Sequence, residues 1–127
     1  MEPHNKEEII KTYIDAYNIF DVDGMIACLH PEVEFINIVR GETNLTLNGI
    51  DAFKAQAEQA AAMFRTRQQE ILTIVYGDNH IEVDISYTGT LAVKFPNGLK
   101  AGDEIVLKGK SVFQFHDGLI LKLVDMS

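Results

Sequence analysis

The chain has 127 residues, of which 46 % are apolar and 24 % are charged, and 11 basic against 19 acidic side chains give it a formal net charge of −8. This size and composition are typical of one globular domain, so we expect residues 1–127 to form a single unit. An acidic chain without a basic stripe argues against nucleic acid or an anionic membrane surface as a partner. No apolar stretch approaches the roughly 20 residues of a membrane-spanning helix.

The cysteine content and the N-terminal residues both point to a reducing compartment inside the cell. Cys28 is the single cysteine, which excludes an internal disulfide and is typical of a reducing environment. The first ten residues, MEPHNKEEII, lack the basic start and apolar core of a signal peptide. We therefore expect a cytoplasmic protein.

Three helices are predicted in the first half of the chain. Apolar residues recur at helical spacing over residues 6–20, with Asn5 as a candidate N-cap. A short second helix is predicted over residues 22–29, ending before Pro31. A third, alanine-rich helix is predicted from residue 50 to about residue 64.

Strands account for the rest of the chain. A strand beginning near Val33 and a short one over residues 45–47 separate the second helix from the third. Four longer strands follow, separated by turn signals at residues 77–79, 96–98 and 117–118. These strands are predicted over residues 68–76, 81–90, 104–115 and 119–126. The order α-α-β-β-α-β-β-β-β, ending in an antiparallel meander, argues for an α+β fold.

The last two strands carry apolar side chains on both faces. A sheet with one solvated face normally shows a polar outer face. Here the outer face keeps five apolar residues beside its lysines: Val106, Val112, Ile120, Val124 and Met126. We predict a homodimer packed through this face; the alternative is a scatter of surface apolar residues, which are common.

Polar residues interrupt the inward faces of several elements. Asp125 follows Leu121 and Leu123 in phase, so its carboxylate is expected to point into an apolar interior. Desolvation there raises a carboxyl pKa toward the range of a general base. Ser111 lies on the same face of the neighbouring strand, and Tyr13, on the inner face of the first helix, offers a hydroxyl that can donate to an oxyanion.

Together these groups predict a concave apolar pocket with a few convergent polar groups, the usual form of a small-molecule site. The candidate catalytic residues are Asp125, Tyr13 and Ser111. Seven further residues are predicted to line the pocket: Tyr17, Phe35, Asn37, Ile85, Tyr87, Phe113 and Leu123. A plainer interpretation stays open, in which Asp125 is solvated near the chain end and the tyrosines are core residues with satisfied hydroxyls.

No motif for a metal or a cofactor is present. The four histidines are dispersed without metal-ligand spacing, and there is no phosphate-binding glycine loop. Residues 21–32 fail as a calcium loop because Met25 occupies the fifth position. Cys28, among apolar neighbours, is expected to be a buried structural thiol. We expect no cofactor and no metal.

Five short segments along the chain carry a family resemblance. They are residues 10–14 (IKTYI), 20–25 (FDVDGM), 30–35 (HPEVEF), 48–53 (NGIDAF) and 113–120 (FQFHDGLI). The chain resembles the SnoaL-like, nuclear transport factor 2-like superfamily. This resemblance implies a cystatin-like cone, in which a curved, mostly antiparallel sheet wraps around helices and encloses a hydrophobic pocket. Members include ketosteroid isomerases, polyketide cyclases, dehydratases, epoxide hydrolases and non-catalytic binding domains, and dimers are common.

The resemblance also implies roles for individual residues. Tyr13 matches the oxyanion-donating tyrosine of the isomerases, whereas Phe35, which cannot take a proton, stands at the position of their base. The second oxyanion acid of the isomerases falls at Ser111. Asp125 matches the last-strand aspartate base of the SnoaL-type cyclases, whose partner histidine also falls at Ser111.

Three functional hypotheses follow. The first is a proton-transfer isomerase or cyclase acting on a small apolar carbonyl compound of polyketide, steroid or terpenoid type. The second is a non-catalytic module that binds such a molecule. The third is a dimerisation domain with a filled core. In all three, the acidic composition argues against nucleic acid and membrane as partners.

Overall fold

The computed structural model describes the backbone of residues 3–95 and 98–127 and the side chains of residues 5–95 and 98–127. Within these ranges the elements follow the predicted α+β order, which is thereby confirmed. The helices are α1 (Pro3–Asn18), α2 (Val22–Ile26) and α3 (Ile50–Ala61). The strands are β1 (Leu29–Val39), β2 (Glu42–Asn48), β3 (Phe64–Tyr76), β4 (Ile81–Leu91), β5 (Glu104–His116) and β6 (Leu119–Met126).

Element boundaries differ from the predicted ones by up to about four residues in both helices and strands, since β1 begins at Leu29 and β3 at Phe64. α1 begins at Pro3, so Asn5 is a helical residue and not its cap; proline suits the first turn because it has no N–H to leave unpaired. The helix ends before Phe20, whose φ of 62° is left-handed. α2 is shorter than predicted, and Asp21 caps it by accepting a hydrogen bond from the Gly24 N–H. Two residues of the predicted turn at residues 96–98, the first two, lie outside the described residues.

The six strands form one sheet in the order β2-β1-β6-β5-β4-β3. The β1–β6 pair is parallel and the other four pairs are antiparallel, so the sheet is mostly antiparallel as predicted. α1 packs against β3, α3 packs against β1 and β2, and α2 contacts both helices. The core lies between the helices and one face of the sheet, which we call the inner face. Its most deeply buried side chains include Ile10, Val33, Val83, Phe113, Ile120 and Leu123.

A β-bulge near the hairpin corrects one prediction about the outer face. Gln114 pairs with Lys122, but Phe115 pairs with Ile120, so Leu121 is an extra residue on β6. An extra residue reverses the phase of the alternation. Ile120 is therefore 0 % exposed in the core, and its predicted place on the outer face is wrong. Beyond the bulge the predicted phase of Leu123 and Asp125 is retained, because no further shift interrupts β6.

Gly109 is required where β5 passes the end of β6. A Cβ at this position would lie 2.6 Å from the carbonyl oxygen of Met126, which is a backbone atom and cannot rotate away. We expect Gly109→Ala to lower the free energy of unfolding by roughly 1–3 kcal/mol, the usual cost of overpacking, in urea titrations. Lys108→Ala, at the exposed preceding residue, is the control. Equal stability of the two variants would contradict the requirement for glycine.

No helix in the described part of the chain is long and apolar enough to cross a membrane.

Candidate functional site

A row of polar side chains crosses three adjacent strands on the inner face. The pairing registers place Asn37 of β1 beside Asp125 of β6, and Asp125 beside Ser111 of β5. The Ser111 hydroxyl donates a hydrogen bond of 2.6 Å to Oδ1 of Asp125. The Asn37 side-chain amide donates to Oδ1 of Asn44 at 2.9 Å. Three residues predicted from sequence for the site therefore lie side by side.

Asp125 is the carboxylate of this row. Burial raises its pKa from the ordinary 3.8 to about 6, and the hydrogen bond from Ser111 acts in the opposite direction. None of the described cationic side chains forms an ion pair with it. A carboxyl group with this pKa is mostly ionised at neutral pH yet is more basic than an ordinary aspartate, as a general base requires.

Tyr13 lies buried on α1, between aromatic residues of the sheet and of α3. Its ring meets Phe113 edge-on at a centroid distance of 6.2 Å and lies 6.5 Å from Phe53. Burial raises its pKa well above 10, and the nearby negative charge of Asp125 raises it further. Its hydroxyl makes no hydrogen bond to any residue that the structure describes. The neutral hydroxyl is therefore a free donor within the electrostatic influence of the Asp125 carboxylate.

Two further tyrosines form a pair: Tyr17, one turn after Tyr13 on α1, and Tyr87 on β4. Tyr17 donates a hydrogen bond of 3.1 Å from its hydroxyl to that of Tyr87. Their rings meet edge-on at 6.2 Å. Burial is the main reason why the pKa of each phenol is raised, so both are neutral at physiological pH. The pair links α1 to β4 through a hydrogen bond between two neutral hydroxyls.

Two cavities open on the inner face and meet at this polar row. The helix-side cavity has a volume of about 210 Å³ and lies among α1, α3, β1 and β2, with Tyr13, Phe35 and Phe53 in its wall. The sheet-side cavity has a volume of about 280 Å³ and lies over β3, β4 and β5. Three residues belong to both walls: Tyr17, Asn37 and Asp125.

The predicted pocket residues divide between these cavities and the core. Phe35 lies in the wall of the helix-side cavity, packed edge-on against Phe53 at 5.6 Å. Ile85, Tyr87 and Ser111 line the sheet-side cavity. The structure places two residues elsewhere: Phe113, 1 % exposed, and Leu123, 0 % exposed, pack in the solid core and line neither cavity. Both side chains lie on the inner face, as predicted. They pack in the core with residues of α1 instead of bordering a cavity.

Arg67 belongs to the site and was not predicted. It lies on β3, is 5 % exposed, and stands in the wall of the helix-side cavity. Its Nε donates to the backbone carbonyl of Tyr17 at 2.9 Å. The predicted strand began one residue later, at Gln68, which left Arg67 in a loop. Arg67 is in phase with Gln69 and Ile71, so alternation places it on the inner face as well. The sequence therefore contained a signal for this residue.

The described residues include no group of three or more His, Cys, Asp or Glu side chains placed to hold a metal ion. Cys28 is buried, and its thiol donates to the carbonyl of Gly24 at 3.6 Å.

The sequence profile of the SnoaL-like domain matches residues 10–123. The chain belongs to the SnoaL-like family. No curated protein matches this SnoaL-like domain in sequence.

Solved structures similar to this SnoaL-like domain include a candidate polyketide cyclase from Xanthomonas campestris pv. campestris, with 21 % identity and a TM-score of 0.83 over 98 % of this chain and 90 % of that one. TerC, co-crystallised with polyporic acid, has 15 % identity and a TM-score of 0.74 over 95 % and 89 % of the two chains. A protein from Catenulispora acidiphila with a ketosteroid isomerase-like fold, in complex with trimethylamine, has 12 % identity and a TM-score of 0.75 over 93 % and 83 %. At these identities the similarity shows the fold alone. It confirms the cystatin-like, ketosteroid isomerase-like architecture that the sequence resemblance implied.

Proposed function

We propose that this SnoaL-like domain binds a small apolar polyketide-, steroid- or terpenoid-like molecule in the two cavities and transfers a proton at a carbon next to a carbonyl group. Asp125 is the base and Tyr13 the oxyanion donor. The observation that carries this proposal is the partly buried Asp125 carboxylate, with a pKa of about 6, which lines both cavities and shares the wall of the helix-side cavity with Tyr13.

The proposed reaction begins when Asp125 removes a proton from the carbon next to the carbonyl. The C–H electron pair moves into an enolate, whose oxygen accepts a hydrogen bond from Tyr13. Ser111 occupies Oδ1 of the carboxylate, which leaves Oδ2 to take the proton. In an isomerase the protonated Asp125 returns the proton to a different carbon; in a cyclase the enolate carbon attacks a second carbonyl of the same molecule.

A second candidate function is binding without catalysis. Its support is that the positions of two further acid–base groups of the relatives hold Phe35 and Ser111, neither of which exchanges protons near neutral pH. Phe35 instead adds an aromatic face to the helix-side cavity. A structural neighbour, TerC, was co-crystallised with polyporic acid, which supports a ligand-binding role for this domain as well.

Deuterium exchange separates the two candidates. 2-Tetralone, a two-ring ketone, has acidic hydrogens next to its carbonyl. We expect the protein in D₂O to speed the loss of their proton NMR signal above the buffer rate, and saturation-transfer NMR to show binding. Binding without faster exchange would support the second candidate, and absence of binding would count against both.

The homodimer is also a proposal of ours. On the outer face, which the helices leave uncovered, Val124 stands beside Val112 on one side and Ile36 on the other. Two intrachain ion pairs flank this apolar row: Lys110–Glu82 at 2.9 Å and Lys122–Glu34 at 3.5 Å. An apolar row between neutralised charges is typical of an interface centre with a polar rim.

We expect the protein to elute as a dimer in size-exclusion chromatography with light scattering, and Val124→Lys to elute as a monomer. A lysine in the interface centre would bury an unpaired charge. Val93→Lys, at an exposed position outside the sheet, is the matched control and should stay dimeric. A monomeric wild-type protein would refute the interface.

We also infer a reducing compartment such as the cytoplasm. Cys28 is a free thiol and the single cysteine of the sequence, which is typical of proteins in a reducing environment.

A further inference from the structure

Arg67 is a buried cation that forms no ion pair with any side chain the structure describes. A guanidinium stays ionised at all physiological pH values, and a buried charge is normally paired. Asp125, the other charged residue in the wall of the helix-side cavity, bonds to Ser111 instead. The cavity therefore contains a positive charge that no described side chain neutralises.

The guanidinium is held rigidly in place. Its central carbon lies 3.7 Å from the ring centroid of Tyr17 and 4.6 Å from that of Phe20, so two aromatic faces contact it. Nε is fixed by the carbonyl of Tyr17. Nη2 is buried. Among the buried side-chain nitrogen and oxygen atoms of the described residues, it alone has no hydrogen-bond partner. A fixed guanidinium that lines a cavity without an ion-pair partner is preorganised to bind an oxygen anion there.

We infer that the helix-side cavity takes a small aromatic carboxylate, with the carboxylate on Arg67 and the ring among Phe35, Phe53 and Tyr13. This inference rests on the proposed function and names its substrate class. The cavity wall is otherwise mainly apolar, and its volume of about 210 Å³ suits a one- or two-ring molecule. Repulsion by the Asp125 carboxylate directs the anionic end of the molecule away from the base, so the ring or its carbonyl arm faces Asp125.

The test compares 2-naphthoate with 2-naphthamide, which have the same shape and differ in charge. Calorimetry is done at about pH 5.5, where Asp125 is largely protonated and an ordinary carboxylic acid is ionised. We expect wild-type protein to bind the acid at least about 10-fold more tightly than the amide. Arg67→Met should reduce that preference to about 1 while binding of the amide stays within about threefold.

Arg65→Met is the matched control, because Arg65 is an exposed arginine on the same strand. It removes the same charge from the protein as a whole and should leave the preference unchanged. Circular dichroism verifies that each variant folds. If Arg67→Met does not fold, the affinities of wild-type protein for the acid and the amide still test the inference. Equal wild-type affinity for acid and amide would overturn the inference but leave the proposed function intact. Binding of neither compound would count against both, and a preference that survives Arg67→Met would show that another group recognises the anion.

Discussion

We expect Asp125→Asn to slow the exchange of the 2-tetralone α-hydrogens by about 10²- to 10⁴-fold, the usual contribution of a positioned general base. Asparagine has the shape of aspartate and can still accept the hydrogen bond from Ser111, but it cannot take a proton. The wild-type rate should rise as pH increases through about 6, where Asp125 ionises, and level off above pH 7. Proton NMR in D₂O over that pH range measures both effects.

Two neighbouring variants separate the base from its surroundings. Ser111→Ala removes the hydrogen bond that lowers the pKa of Asp125, so the midpoint of the pH profile should move upward while the rate at high pH persists. Tyr13→Phe should lower the rate at every pH by about 10- to 10³-fold, because an oxyanion donor is lost and the base is not. Exchange by Asp125→Asn within a few-fold of wild type would remove Asp125 from the mechanism.

Which residues of the site face inward could be predicted from sequence, because alternation in a strand assigns faces. The phase of β6 placed Asp125 inward, and that of β5 placed Ser111 on the same face. Alternation does not give register, however, so only the pairing of β6 with both β1 and β5 shows that Asn37, Asp125 and Ser111 are neighbours. The parallel β1–β6 pair brings together the first and last strands, and no local pattern predicts such a pairing.

The predictions that were wrong or incomplete have local causes. A strand is irregular or begins earlier than expected, or alternation does not show how deeply a side chain is buried. The bulge at Leu121 adds one residue without any glycine or proline to signal it, and Ile120 changed face as a result. Phe113 and Leu123 were assigned to the correct face, but alternation does not distinguish a residue under α1 from one that borders a cavity. Arg67 was missed because the predicted strand began at Gln68, so the alternation was not extended back into the first residues of β3. Departures of this kind occur most often at functional sites.

The same Asp125→Asn substitution should stabilise the protein near neutral pH. Burial raises the pKa of Asp125 from 3.8 to about 6, so the folded state favours the protonated acid. The stabilising contribution of this group is fully present below about pH 4 and is lost as pH rises through about 6. At pH 7 and above, wild type therefore carries an electrostatic cost that the neutral amide lacks, amounting to about 3 kcal/mol for a pKa difference of this size.

Urea unfolding of both proteins between about pH 4 and pH 8 measures this difference. We expect nearly equal stabilities at the acid end and a growing advantage of the variant toward pH 8. Asp15→Asn, at an exposed position of α1, is the control and should show no such trend. A variant less stable than wild type at pH 8 would mean that the Asp125 carboxylate is well solvated. A stabilising substitution that also abolishes exchange would show that the chain keeps a costly buried acid where its chemistry requires one.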